Sequence, residues 1–185
     1  KRLLFVGLLD PLHKKGIPYL LQALAQLPRR DWHLDLVGDG PTRTEYETLA
    51  ATLGLSAQIT FHGYQSKPRV AQLMRESQLF VLPSLVETFG VVLIEALASG
   101  IPVIATQTAG PSELITADVG LLVPPGDVKA LATTINTMLD QHTHYAPQTL
   151  VAYAERHFGY APVSQRLDRL YRSFVTVPVQ VVAGG

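Results

Sequence analysis

The stretch Leu79 to Thr106, LFVLPSLVETFGVVLIEALASGIPVIAT, decides how the chain folds. Leu79 to Leu82 and Pro102 to Ala105 are short apolar runs, too continuous for strands with one wet face, so both belong in a sheet covered on both sides. Between them Val91 to Ala98 reads as a helix, and Gly100-Ile101-Pro102 marks its exit. Strand, helix, strand in that order is a crossover unit, which places its two strands in parallel.

The same alternation continues outward in both directions. Leu3 to Val6, Leu34 to Val37, Gln58 to Phe61 and Leu121 to Val123 have strand character, whereas Tyr19 to Leu27, Thr42 to Leu53, Lys67 to Glu76, Pro111 to Thr116 and Val128 to Asp140 have helical period. Gly54 stands just past the second of these helices, and Asp127 occupies the N-cap position in PPGDVKALA. The expected fold is α/β, a Rossmann-like doubly wound parallel sheet of about six strands, in one domain over residues 1–185 with its core at 3–140. Two more helical stretches, Pro147 to His157 and Val163 to Phe174, have no strand between them and are expected to pack around the sheet or lead elsewhere. The closing VTVPVQVVAGG, residues 175–185, is apolar without an evident partner and reads as an extended arm or a remnant of a longer chain.

Composition narrows the function. Of 185 residues 47% are hydrophobic and only 16% charged, which gives a large core and leaves no case for disorder. Fifteen basic side chains against fifteen acidic ones remove the electrostatic footprint of a nucleic-acid binder. The absence of cysteine rules out a disulfide framework and suits a cytoplasmic protein, at most one lying at the inner face of a membrane. Every apolar run is broken before the roughly 18 residues that a membrane-spanning helix needs. Lys1-Arg2 leads straight into LLFVG without an initiator Met, so the chain is expected to be a piece of a longer protein.

Open parallel sheets bind ligands beyond the carboxyl ends of their strands, and here those positions are small and glycine-rich. They are Gly7, Gly38-Asp39-Gly40-Pro41, Gly63-Tyr64, Pro83-Ser84 and Thr106 to Gly110. Two carboxylates join them. Glu95 lies in a helix whose other residues are all apolar, so the helix is expected to be buried and Glu95 to need a salt-bridge partner or a ligand. Glu87 lies in the loop before the same helix, where Thr88 or a neighbour is expected to cap while free N–H groups of the first turn offer an anion site. A phosphate site with two hydroxyl-accepting carboxylates nearby suits a sugar joined to a nucleoside diphosphate.

These residues resemble the C-terminal, donor-binding half of the group 1 glycosyltransferases of the two-domain GT-B architecture, which retain anomeric configuration. The carrying motif is Glu, seven residues, Glu, here Glu87 and Glu95, and FVG, KKG, LVGDGP, ITFHGY, GPSEL and GLLVPPGD stand around it in the family's order over Leu3 to Leu139. The resemblance implies an enzyme that binds a nucleotide-sugar donor, with Glu87 on the sugar hydroxyls and Glu95 on the ribose. It implies Phe89, Gly90, Val91 and Val92 placing backbone N–H groups around the diphosphate. Gly63 and Tyr64 would lie beside the base, with Gly38 in the same donor-binding set, and Gly7 with Lys15 on the phosphate side. Lys15 is the catalytic candidate beside Glu87, because the family generally works without a metal and neutralises its leaving diphosphate with basic side chains. An N-terminal acceptor domain, absent from this chain, would complete the enzyme and carry any peripheral membrane contact; the fragment alone is expected to be inactive.

One position departs from that family. Leu8 stands where an Arg usually follows FVG, and His13 and Lys14 are the candidates to replace the missing cation. No cofactor and no metal are expected, since His33, His62, His142, His144 and His157 lack ligand spacing. A nucleotide-sugar epimerase of the same architecture and a non-catalytic sugar-nucleotide-binding module share the fold and stand as rivals.

Overall fold

The structure is a computed structural model and describes residues 1–175. The tail read as an arm lies, from residue 176 onward, outside the described residues. Six parallel strands, β1 (Arg2–Val6), β2 (His33–Val37), β3 (Ile59–Gly63), β4 (Leu79–Leu82), β5 (Val103–Thr106) and β6 (Gly120–Val123), lie in the order β3-β2-β1-β4-β5-β6. Each agrees with an expected run to within two residues. The chain winds outward from β1 to β3, returns, and winds the other way from β4 to β6, so the order reverses between β1 and β4.

The burial follows the composition of the strands. All four residues of β4 and all four of β5 are buried, as continuous apolar runs require in a sheet with helices on both faces. Helix α1 (Ile17–Ala25) packs with α2 (Arg43–Thr52) and with α6 (Val128–Gln141), while α3 (Lys67–Glu76) packs with α4 (Val91–Ala98). With right-handed crossovers these two groups occupy opposite faces of the sheet. Asp127 caps α6 as expected, its side chain accepting from the Ala130 N–H at 2.9 Å. Helix α5 (Ala109–Leu114) bridges β5 and β6.

The two late helices behave differently from each other. Helix α7 (Pro147–Phe158) lies along α4 and buries Leu150 and Ala154, and is therefore part of the domain. Helix α8 (Tyr160–Val175) buries no residue, and Leu167, Leu170, Tyr171 and Phe174 stand exposed along one side.

The carboxylate that the fold buries is Asp35 on β2, not Glu95. Its side chain is 3% exposed and receives two bonds from the Arg2 guanidinium, at 3.0 and 2.8 Å, while His62 Nε2 lies 2.6 Å from its other oxygen. A buried carboxylate without such partners would cost several kcal/mol. Strands β1, β2 and β3 each supply one member of this network.

Candidate functional site

The reversal of strand order between β1 and β4 opens the crevice where doubly wound sheets hold ligands, and the loops after these strands form its walls. The two loops are fastened together. Leu85 N–H donates to the Lys14 carbonyl at 2.7 Å, and Gly16 lies so close to Pro83 that a Cβ would sit 1.8 Å from the proline carbonyl oxygen. Lys15 then reaches across to Glu87, with Nζ 2.7 Å from Oε2. Glu87 is only 11% exposed, so this pair is a partly desolvated one and worth more than a surface ion pair. The two residues expected to do the chemistry are thus in direct contact.

The start of α4 differs from the expected one in a way that favours an anion. Thr88 does not cap it. The N-cap is Gly90, at φ +85°, a left-handed conformation that residues with a side chain rarely adopt, and no side chain bonds to the first turn. The Leu93 N–H donates to the Gly90 carbonyl at 2.9 Å, and those of Val91 and Val92 are left to an incoming ligand, with the helix dipole behind them. Phe89 and Val91 are exposed here and Val92 is half-buried.

Glu95 is not buried as expected. Val91, Glu95 and Ala98 form the exposed stripe of α4, while Leu93, Ala96 and Leu97 face the core. An i, i+4, i+7 stripe is one helix face, so the apolar composition hid an ordinary amphipathic arrangement. Among the described residues Glu95 forms no ion pair with Arg or Lys. It lines a cavity of about 520 Å³ together with Val6, Tyr64, Lys67, Val70 and Ser99. A second cavity of about 440 Å³ shares Val6, Tyr64 and Val70 and adds Gly7, Leu8 and Gly38, so the two form one crevice over the ends of β1, β2 and β3.

Of the strand-end residues, Gly7, Gly38 and Tyr64 line this crevice. Gly63 is buried behind it and holds it together, its carbonyl accepting from the Gly38 N–H at 2.9 Å. The proposed substitutes for the missing cation fare worse. The backbone of His13 is left-handed, at φ +51°, and its ring turns away to α2, with Nδ1 2.7 Å from the Tyr46 hydroxyl and Nε2 3.7 Å from Glu45. Burial pushes the Tyr46 hydroxyl above its ordinary pKa and keeps it protonated. Lys14 is exposed, its side chain without a partner among the described residues, and Leu8 is 63% exposed on the crevice wall. Lys15 therefore stands as the cation of this wall that is both held and directed.

Another groove, of about 580 Å³, opens before β6 between Asp118, Tyr145, Tyr153 and Arg156. It lies at the amino end of the sheet, away from the ligand edge of such folds. Among the described residues no group of three or more His, Asp or Glu side chains could hold a metal ion, and no helix is long and apolar enough to cross a membrane.

The chain is similar to known proteins. The family model described as "Glycosyl transferases group 1" matches residues 1–157. D-inositol 3-phosphate glycosyltransferase of Corynebacterium efficiens is 33% identical over 183 residues, covering 93% of this chain and 42% of its own. Among solved structures, sucrose-phosphate synthase of Thermosynechococcus elongatus superposes with a TM-score of 0.81 at 32% identity, covering 96% of this chain and 46% of its own. The Anabaena protein HepE, in complex with UDP and glucose, superposes with a TM-score of 0.81 at 30% identity over 93% of this chain and 48% of its own. The chain thus spans less than half the length of each of these relatives.

Proposed function

Because this chain belongs to the group 1 glycosyltransferases, its family model spanning residues 1–157, we propose that it is the donor-binding half of a retaining glycosyltransferase that uses a nucleotide-diphosphate sugar. The observation that carries this reading is the Lys15–Glu87 pair set beside the uncapped start of α4, with Glu95 one turn further on in the adjoining crevice. The complex of HepE with UDP and glucose supports the same ligand class.

The diphosphate lies against the first-turn N–H groups of Val91 and Val92, where the helix dipole favours negative charge. Lys15 shifts its contact from Glu87 to the phosphate oxygens and neutralises the charge that develops as the sugar leaves. At about 4 Å and an effective dielectric near 20, one such contact is worth about 4 kcal/mol. Glu87, released from Lys15, accepts the hydroxyl groups of the sugar. Glu95 accepts those of the ribose, and the base lies by Tyr64, with Gly63 holding the wall behind it. No metal or other cofactor takes part. The acceptor binds to a second, N-terminal half of the polypeptide, which brings it to the same face of the donor as the departing diphosphate, and any contact with a membrane is made there. The enzyme works in the cytoplasm.

Calorimetry of this chain with UDP, GDP and ADP and their sugars tests the reading, which fails if none gives heat at millimolar ligand. Glu95→Ala sharpens the test. A lost pair of bonds to a carboxylate weakens nucleotide binding about 10- to 100-fold. The melting temperature stays unchanged, because Glu95 is exposed and its side chain has no partner among the described residues to lose. Unaltered affinity would remove Glu95 from the site. A non-catalytic binding module is favoured by Leu8 alone, and turnover of a donor by the two-half protein, even by hydrolysis, disposes of it.

A further inference from the structure

Phe89 poses a problem within the proposed donor site. Its backbone stands in the stretch assigned to the diphosphate, yet its large side chain is 52% exposed. Two neighbours hold that residue from outside the crevice. Gly110 lies flat against its backbone, where a Cβ would be 2.4 Å from the Phe89 Cα, and the Gly110 N–H points to the Glu87 carbonyl at 3.4 Å. The Phe89 ring meets the edge of Phe158, the last residue of α7, with centroids 6.4 Å apart and planes at 82°. That is the favoured edge-to-face geometry of an aromatic pair.

Phe158 is itself held. Tyr153 lies 6.5 Å and His157 6.1 Å from it, ring to ring, and the Tyr153 hydroxyl donates to the Leu114 carbonyl at 2.8 Å. Helix α7 runs antiparallel to α4, with Pro147 against Gly100 at one end and Phe158 against Phe89 at the other. An aromatic clamp from a helix outside the crevice thus holds the loop that carries Glu87.

We propose that Phe158 is a positioning residue for the donor loop, acting through Phe89 to hold the Glu87–Val92 backbone in its anion-binding geometry. The proposal rests on the donor-site reading given above. Phe158 touches no reacting group. Its effect is preorganisation: a loop already held loses less freedom when the ligand arrives.

Titration of this chain with UDP, alongside GDP and ADP, at a temperature well below the melting transition tests it. Phe158→Ala and Phe89→Ala are each expected to weaken binding roughly 3- to 10-fold. The double variant is expected to be no weaker than the poorer single one, because both remove the same contact. Phe158→Tyr keeps the ring and retains wild-type affinity. If the alanine variant is too unstable to titrate, Phe158→Leu, which keeps the apolar packing and removes the ring edge, reads the same loss. Binding by the unsubstituted chain with unchanged affinity in the Phe158 variants overturns the clamp and leaves the donor site standing, as does strict additivity in the cycle. No binding of any of the three nucleotides by the unsubstituted chain overturns both.

Discussion

Lys15→Ala, made in a polypeptide that joins this chain to the proposed acceptor half, is expected to lower donor turnover about 10²- to 10³-fold, the loss that follows removal of one preorganised group at developing charge. Two effects add at this position. The leaving diphosphate loses the cation that is both held and directed on this wall, since Leu8 is apolar and His13 is turned toward Tyr46 and Glu45. Glu87, 11% exposed, loses its partner and is left as an unpaired carboxylate beside an incoming anion. The first effect lowers kcat, and the second weakens donor binding and raises KM. The same logic gives Leu8→Arg the opposite sign, because a guanidinium there faces the crevice that Leu8 now lines. A Lys15→Ala variant that kept more than a tenth of wild-type turnover in a steady-state assay would remove Lys15 from the chemistry.

The second large effect is on stability. Gly16→Ala is expected to cost about 2 to 5 kcal/mol and to lower the melting temperature by roughly 10 °C. Gly16 sits at φ +69°, and an added Cβ would stand 1.8 Å from the Pro83 carbonyl oxygen, which is backbone and cannot rotate aside. Gly54 supplies the control. Its φ is +70°, nearly the same, but nothing lies within 4 Å of its would-be Cβ. Gly54→Ala therefore carries only the conformational penalty, about 1 kcal/mol. Parallel thermal melts separate the two contributions, and equal losses in both variants would show that the approach of the two loops does not matter.

These positions also show how far the sequence could be read. Sheet and helices were legible because their signals are local: an apolar strand between a glycine turn and a helical period does not depend on what lies elsewhere. Lys15 and Glu87 were legible as candidates. Their contact was not, because it joins loops that meet only once β1 and β4 are neighbours in the sheet. Glu95 was misjudged by composition. Val91 and Ala98 are apolar yet exposed, so a helix with one wet face looked buried all round. Asp35 was missed for the opposite reason, lying in an apolar run where its partners, Arg2 and His62, come from two other strands. Phe158 carried no signal at all, since its value depends on the packing of α7 along α4.

The Lys15–Glu87 pair has a further consequence, for the kinetics of encounter. A cation already matched by a carboxylate 2.7 Å away sends little field into solution, and the chain as a whole has no net charge to add. On the proposed reading Lys15 itself then draws in a nucleotide sugar little from a distance and acts on contact. Stopped-flow association rates should therefore differ little between the parent chain and the double variant Lys15→Met, Glu87→Gln, which removes the pair as a whole, while dissociation carries the loss of affinity.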